Sequence, residues 1–132
     1  MKNRVTGFGG FFFKTKDPDT IKDWYKQHLG LKTDAYGCTF WWKDDDGNKC
    51  TTQWSPFKDD TDYFNPSKKQ FMMNFRVENL VELLKVLKEE GVTVVGEIEE
   101  YEYGKFGWVL DPEGNKIELW EPIDSAFLEE NS

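Results

Sequence analysis

Nitrogen and sulfur metal ligands are scarce in this sequence: it has one histidine, His28, and two cysteines, Cys38 and Cys50. A histidine-based metal site or a Ser/His/Asp triad would rest on that single imidazole. His28 belongs to a predicted helix, where a ring near the C-terminal end interacts favourably with the helix dipole. The cysteines flank a turn signal, Asp45-Asp46-Gly47-Asn48. If Asp46-Gly47 is the turn, Cys50 faces Lys43 and Cys38 lies about five residues further along. At ~3.3 Å of rise per residue, the thiols are beyond disulfide reach. Two unpaired cysteines fit a reducing cytoplasm and act as small core residues.

Long apolar runs are also missing. Nothing approaches the ~20 residues of a membrane span, and no signal-type segment follows Met1. Basic clusters are absent as well. Against 25 acidic residues stand 17 basic ones, for a net charge of −8. Nucleic acid and anionic membrane are therefore excluded as expected partners. A phosphate loop is excluded too, because Gly7-Phe8-Gly9-Gly10 lies inside a predicted strand with no helix directly after it. What the chain does have is rings. Aromatics make up 17% of its 132 residues, including 6 Trp and 11 Phe, enough to build a core or line a cavity in a single domain.

The order of elements repeats. In the first half, a strand from Thr6 to Lys14 leads into a helix over Asp17 to Leu29. Asp17 is its N-cap, Pro18 takes the first position, and Ile21, Trp24, Tyr25, His28 and Leu29 form an apolar stripe ended by Gly30. Strands follow near Leu31 to Ala35, Cys38 to Lys43 and Lys49 to Trp54. In the second half, a strand from Phe71 to Val77 leads into a helix over Asn79 to Glu90. Asn79 and Glu82 make its capping box, Leu80, Leu83, Leu84 and Leu87 its stripe, and Gly91 its stop. Strands follow near Val92 to Ile98, Phe106 to Leu110 and Lys116 to Trp120. Letters repeat as well: WWKDDDGNK (Trp41 to Lys49) aligns with WVLDPEGNK (Trp108 to Lys116) at the Trp, one Asp and Gly-Asn-Lys.

The predicted class is α+β: two βαβββ modules in one chain, forming a curved mixed sheet around a concave pocket. Module one spans about residues 5–57, the linker 58–69, module two about 70–122, and an acidic tail 123–132. Phe127 and Leu128 are possible anchors in a tail otherwise expected to fray. Each module covers one sheet face with a helix and leaves the other free, which is the default place for a small ligand.

The paired modules, the segment Asp17 to Leu31 (DPDTIKDWYKQHLGL) and the ending Asp111 to Pro122 (DPEGNKIELWEP) resemble the vicinal oxygen chelate superfamily, which includes glyoxalases, bleomycin resistance proteins and dioxygenases. The resemblance runs from about Thr6 to Pro122. It implies a divalent metal held by His or Glu from the first and last strand of each module. Aligned on that pattern, the positions are Gly10, Met72 (or Phe71), Thr51 (or Thr52) and Glu118. Only Glu118 is a ligand-type residue, so no metal and no other cofactor are expected. Strand alternation then nominates Phe8, Phe12, Met72, Asn74, Glu118 and Trp120 for the concave face. Gln53 or Trp54 joins them, and Trp54 and Trp108 are favoured. The run Tyr101 to Trp108 is dense enough in rings to form a rim.

Three functions follow from the resemblance. The first is metal-free binding of a small organic ligand, aromatic or cationic, near Glu118 or Asn74. The second is a glyoxalase-type lyase or isomerase with Glu118 as base. The third is a non-catalytic dimeric scaffold. A homodimer is expected in each case, because the aromatic surplus exceeds what one small core needs.

Overall fold

A computed structural model describes residues 3–127. It contains strands β1 (Val5–Thr15), β2 (Cys38–Lys43), β3 (Lys49–Lys58), β4 (Phe71–Val77), β5 (Val94–Tyr101), β6 (Gly104–Leu110) and β7 (Lys116–Pro122). Helices α1 (Pro18–Leu29) and α2 (Leu80–Glu89) and a short 3-10 turn (Asp124–Ala126) complete it. Leu128, named above as an anchor, lies outside the described residues.

The seven strands form one mixed sheet in the order β2-β3-β1-β4-β7-β6-β5. β1 runs antiparallel to β4 at the centre. Each of these has a parallel neighbour, β3 beside β1 and β7 beside β4. The chain thus has the α+β architecture read from its sequence, with one correction. The strand expected near Leu31 to Ala35 is absent, and a single bridge between Thr33 and Cys38 stands in its place. Asp34 diverts that segment: its Oδ1 accepts the backbone N–H groups of Tyr36 and Gly37 and turns the chain.

Local signals place the elements. Asp17 accepts the N–H of Thr20, and Gly30 closes α1 with φ 72°. Asn79 accepts the N–H of Glu82 at the start of α2. The repeated DxxGNK segments form two turns of the same design. Asp44 Oδ1 accepts from the backbone of Asp46 and Asn48, and Asp111 Oδ1 from that of Glu113 and Asn115. Gly47 (φ 82°) and Gly114 (φ 80°) supply the left-handed backbone that each loop requires. Lys43 pairs with Lys49, so Cys50 faces Trp42 rather than Lys43. Both cysteines are buried, and no disulfide joins them.

Two apolar clusters cover the two faces of the sheet. On the helix face, Val77, Leu80, Leu83, Leu84, Val109 and Leu119 pack beneath α2. On the concave face, Phe12, Phe64, Met72 and Trp108 pack together. Phe64 comes from the segment between β3 and β4, which folds back over the sheet.

Candidate functional site

β-pairing reads across the sheet as one row: Thr39, Gln53, Gly10, Asn74, Glu118, Trp108 and Val95, one residue per strand. Gln53, Asn74 and Glu118 of this row line a cavity of about 560 Å³ on the concave face.

Glu118 sits at the floor, 2% exposed. Three donors hold its carboxylate. Asn74 Nδ2 donates to Oε1 at 2.6 Å, Trp108 Nε1 donates to Oε2 at 2.9 Å, and the Tyr63 hydroxyl donates to the same Oε2. Burial pushes the carboxyl above its ordinary range, while these hydrogen bonds and the charge of Lys116 oppose the rise. Burial and then the Glu118 charge push the Tyr63 phenol up as well, so it keeps its proton and remains a donor. Lys116 lies behind the floor. Its Nζ donates to the Tyr63 carbonyl at 2.7 Å and rests over the Tyr63 and Trp108 rings. Burial lowers its pKa, and Glu118 is the first of the groups opposing that fall.

The walls are aromatic. Eight rings line the cavity, with three carboxylates (Asp34, Glu102 and Glu118) and no lysine or arginine among its lining residues. The far wall is the 3-10 turn and Phe127. Phe127 stacks on Tyr103 and meets Trp120 edge to face. Asp124 anchors this wall. It takes Arg76 Nη1 at 2.7 Å and Nη2 at 2.6 Å, and it also accepts from the N–H and the hydroxyl of Thr51. The Arg76 guanidinium lies between the Trp42 and Trp120 rings. The first part of the tail, expected to fray, is therefore tied to the sheet.

The residues nominated from the sequence fall into three groups. Phe12, Gln53, Asn74, Glu118 and Trp120 line the cavity. Trp108 and Met72 lie beneath it: Trp108 holds Glu118, and Met72 is fully buried in the concave-face cluster. Phe8 and Trp54 turn to the helix face. Phe8 meets Phe75, and Trp54 packs on Phe13 and Tyr25. A bulge explains Phe8: between Phe8 and Gly10 the chain spends two residues against one on β4, which reverses alternation. Trp54 faces outward because its neighbour Gln53 is level with Gly10 and faces in. From the aromatic run, Glu102, Tyr103 and Phe106 reach the cavity. His28 stays on α1, against Trp24.

Tyr63 had no place in the sequence reading, because it lies in a polar segment taken as a linker. The signal was the pair Tyr63-Phe64 inside DTDYFNP, two large rings with no strand or helix to bury them.

The family's metal does not fit these residues. Level with Glu118 are two amides, Gln53 and Asn74, and a glycine. Thr51 is committed to Asp124, and the Thr52 hydroxyl to the Phe8 carbonyl. Glu118 already accepts three hydrogen bonds, and among the described residues no three His, Cys, Asp or Glu side chains are placed to hold one metal ion. A divalent ion needs more anionic or imidazole donors than this.

No curated protein matches the chain in sequence. Solved structures do match its fold. A methylmalonyl-CoA epimerase from Mycobacterium tuberculosis is 21% identical, with a TM-score of 0.62 over 96% of this chain and 94% of that one. A variant of the Streptomyces coelicolor methylmalonyl-CoA epimerase, in complex with 2-nitronate-propionyl-CoA, is 14% identical, with a TM-score of 0.66 over 89% and 98%. A superfamily member from Vibrio splendidus 12B01 is 13% identical, with a TM-score of 0.55 over 91% and 99%. The family model for the glyoxalase/bleomycin resistance protein/dioxygenase superfamily matches residues 8–119. With its sheet and its sequence in agreement over that span, the chain belongs to the glyoxalase/bleomycin resistance protein/dioxygenase superfamily.

Proposed function

We propose that this protein binds a small organic molecule, aromatic and preferably cationic, in its concave cavity without a metal. One observation carries the reading: a cavity of about 560 Å³ with eight aromatic rings, three carboxylates and no basic side chain in its lining. That volume lies within the roughly 300–1,000 Å³ of small-molecule sites. Rings bind apolar surface and attract cations through their faces. Of the nearest cations, Arg76 is paired with Asp124, and Lys116 lies behind the floor and balances part of the Glu118 charge, which leaves Asp34 and Glu102 of the lining to favour a cation. The same charge pattern disfavours a polyanion such as the CoA ester in the Streptomyces complex, because the lining offers its phosphates no basic side chain.

A thermal-shift screen of aromatic amines and neutral aromatics tests this. A ligand at 100 times its Kd adds about 2.7 kcal/mol. The proposal expects amines to stabilise the protein most, with a smaller shift in Glu118→Gln. No shift from either set would leave a scaffold as the better reading.

The raised pKa of Glu118 supports a second reading, an isomerase or lyase that uses this carboxylate as base. Exchange of a carbon-bound proton for deuterium in bound ketones or thioesters, lost in Glu118→Gln, would favour it.

The same proposal includes a homodimer in a reducing, cytoplasmic setting. α1 buries no residue, and Trp24 and Leu29 are 50% and 59% exposed. A second copy covering that face would remove both apolar side chains from water, and a standard interface buries about 1,600 Å². Light scattering that gives only 15.6 kDa at micromolar concentration argues against pairing.

A further inference from the structure

The sheet has two open edges, and they are not alike. In the order β2-β3-β1-β4-β7-β6-β5, β1 of the first half corresponds to β4 of the second, β3 to β7 and β2 to β6. The outer edge of β6 is covered by β5. The corresponding edge of β2 is not. The segment that would cover it is turned away at Asp34, and its one contact of strand type is the bridge between Thr33 and Cys38. In an antiparallel ladder, alternate residues direct their N–H and C=O groups to opposite sides. From Thr39 to Lys43, the row directed away from β3 meets no strand among the described residues.

An edge strand is a template for another strand unless charge or a bulge blocks it. β5 has both. Glu97, Glu99 and Glu100 lie along it, and its ladder with β6 is interrupted between Val95 and Glu99, where Gly96 takes φ 70°. β2 has neither. Its sequence is CTFWWK, with no carboxylate, and its pairing with β3 runs unbroken from Cys38 to Lys43. The missing carboxylates matter in a chain of net charge −8, because copies repel one another wherever acidic faces meet. Phe40, in the middle of β2, is 46% exposed. It is level with Thr52, two residues along β3 from Trp54, and so stands on the face that carries α1.

We infer that β2 is the joint of a homodimer, in which the β2 strands of two copies pair antiparallel and extend one sheet across both chains. The inference rests on the homodimer reading above and names the surface that this pairing uses. A strand that pairs antiparallel with its own copy requires a twofold axis perpendicular to the sheet. Both α1 helices then lie on one face, on either side of the joint, and both concave cavities lie on the other. A pair of six-residue strands by itself buries less than a standard interface of about 1,600 Å². The helix layer supplies the rest, with the exposed Phe40, Trp24 and Leu29 as its apolar surface.

Hydrogen–deuterium exchange on the full chain, with light scattering at the same concentrations, tests the joint without relying on any variant. The outward amides of Thr39 to Lys43 should exchange at least about tenfold more slowly in the dimer than after dilution to the monomer. The amides of β5 should not change. Phe40→Lys puts a charge on an already exposed side chain, and it should raise the dimer Kd at least about tenfold. Ile98→Lys, the same change on the β5 edge at a side chain 38% exposed, should leave that Kd unaltered. A dimer whose β2 amides exchange as fast as the monomer's, or one that Phe40→Lys leaves equally tight, overturns the joint. The homodimer reading then stands on the α1 face alone, which Trp24→Ala would weaken. The mass of a single chain at every concentration overturns the joint and the homodimer reading together.

Discussion

The two halves of the sheet carry helices of similar length and bury them very differently. α2 inserts Leu80, Leu83 and Leu84 into an aliphatic cluster with Val77, Val109 and Leu119. α1 buries no residue, and rings (Phe13, Trp54 and Tyr25) fill the layer beneath it. Aliphatic side chains at helical spacing interlock with a sheet, whereas Trp54 and Tyr25 meet at a tilt and stay half-buried. The concave face divides along the same line. The second half supplies the charge and most of its partners, Glu118, Asn74 and Trp108. The first half supplies the Gln53 amide, the Asp34 carboxylate near the rim and the rings of Phe12, Tyr36 and Phe57. One half thus carries much of the stability and the reactive group, and the other leaves room for a ligand.

Substitutions on either side of this divide should show it. The largest effect is expected at the seam. Arg76 joins Thr51 of the first half to Asp124 beyond the second, with both charges largely buried. Removing one partner by Asp124→Ala should cost roughly 3–5 kcal/mol in urea unfolding, and it should loosen Phe127 from the cavity wall. Next come the helices. Leu83→Ala in α2 should cost about 2–5 kcal/mol. Leu29→Ala in α1 should cost under ~0.5 kcal/mol in a monomer, and equal losses would erase the contrast drawn above.

A smaller effect separates the floor of the site from its walls through pH. Burial raises the Glu118 carboxyl above its ordinary 4.5, so the folded state holds that proton more tightly than the unfolded chain does. Stability from the neutral form is complete below 4.5 and is lost as pH rises through the folded value. In that window the wild type should lose up to about 1.4 kcal/mol per pH unit relative to Glu118→Gln. Unfolding of both proteins across the acid-to-neutral range checks this, and parallel curves would mean that the carboxyl is not raised. The α2 cap comes next. Asn79→Ala should cost ~1 kcal/mol, read as a drop in unfolding midpoint with unchanged denaturant dependence.

Local chemistry made most of the fold legible in the sequence. Asp17 and Asn79 mark helix starts, Gly30 and Gly91 mark stops, and the two DxxGNK turns carry the same carboxylate-to-backbone bonds. Each signal acts within a few residues, so the order of elements and the α+β class follow from the chain alone. The sequence also shows Gly10, Met72 and Thr51 at the matched positions, with Glu118 as the one carboxylate among them. The side facing the cavity was not. One extra residue at the Phe8–Gly10 bulge turned Phe8 outward, and parallel pairing set Gln53, not Trp54, level with Gly10. Side chains alternate with a period of two, so a shift of one residue in either strand reverses the face. Tertiary structure alone brought Tyr63 to Glu118, 55 residues away in sequence, and tied Asp124 to Arg76. Those contacts depend on where the loop between β3 and β4 and the segment after β7 come to rest on a curved sheet. No local propensity encodes that position. It is set by the burial of Phe64 and Phe127 against surfaces that exist only once the sheet has formed.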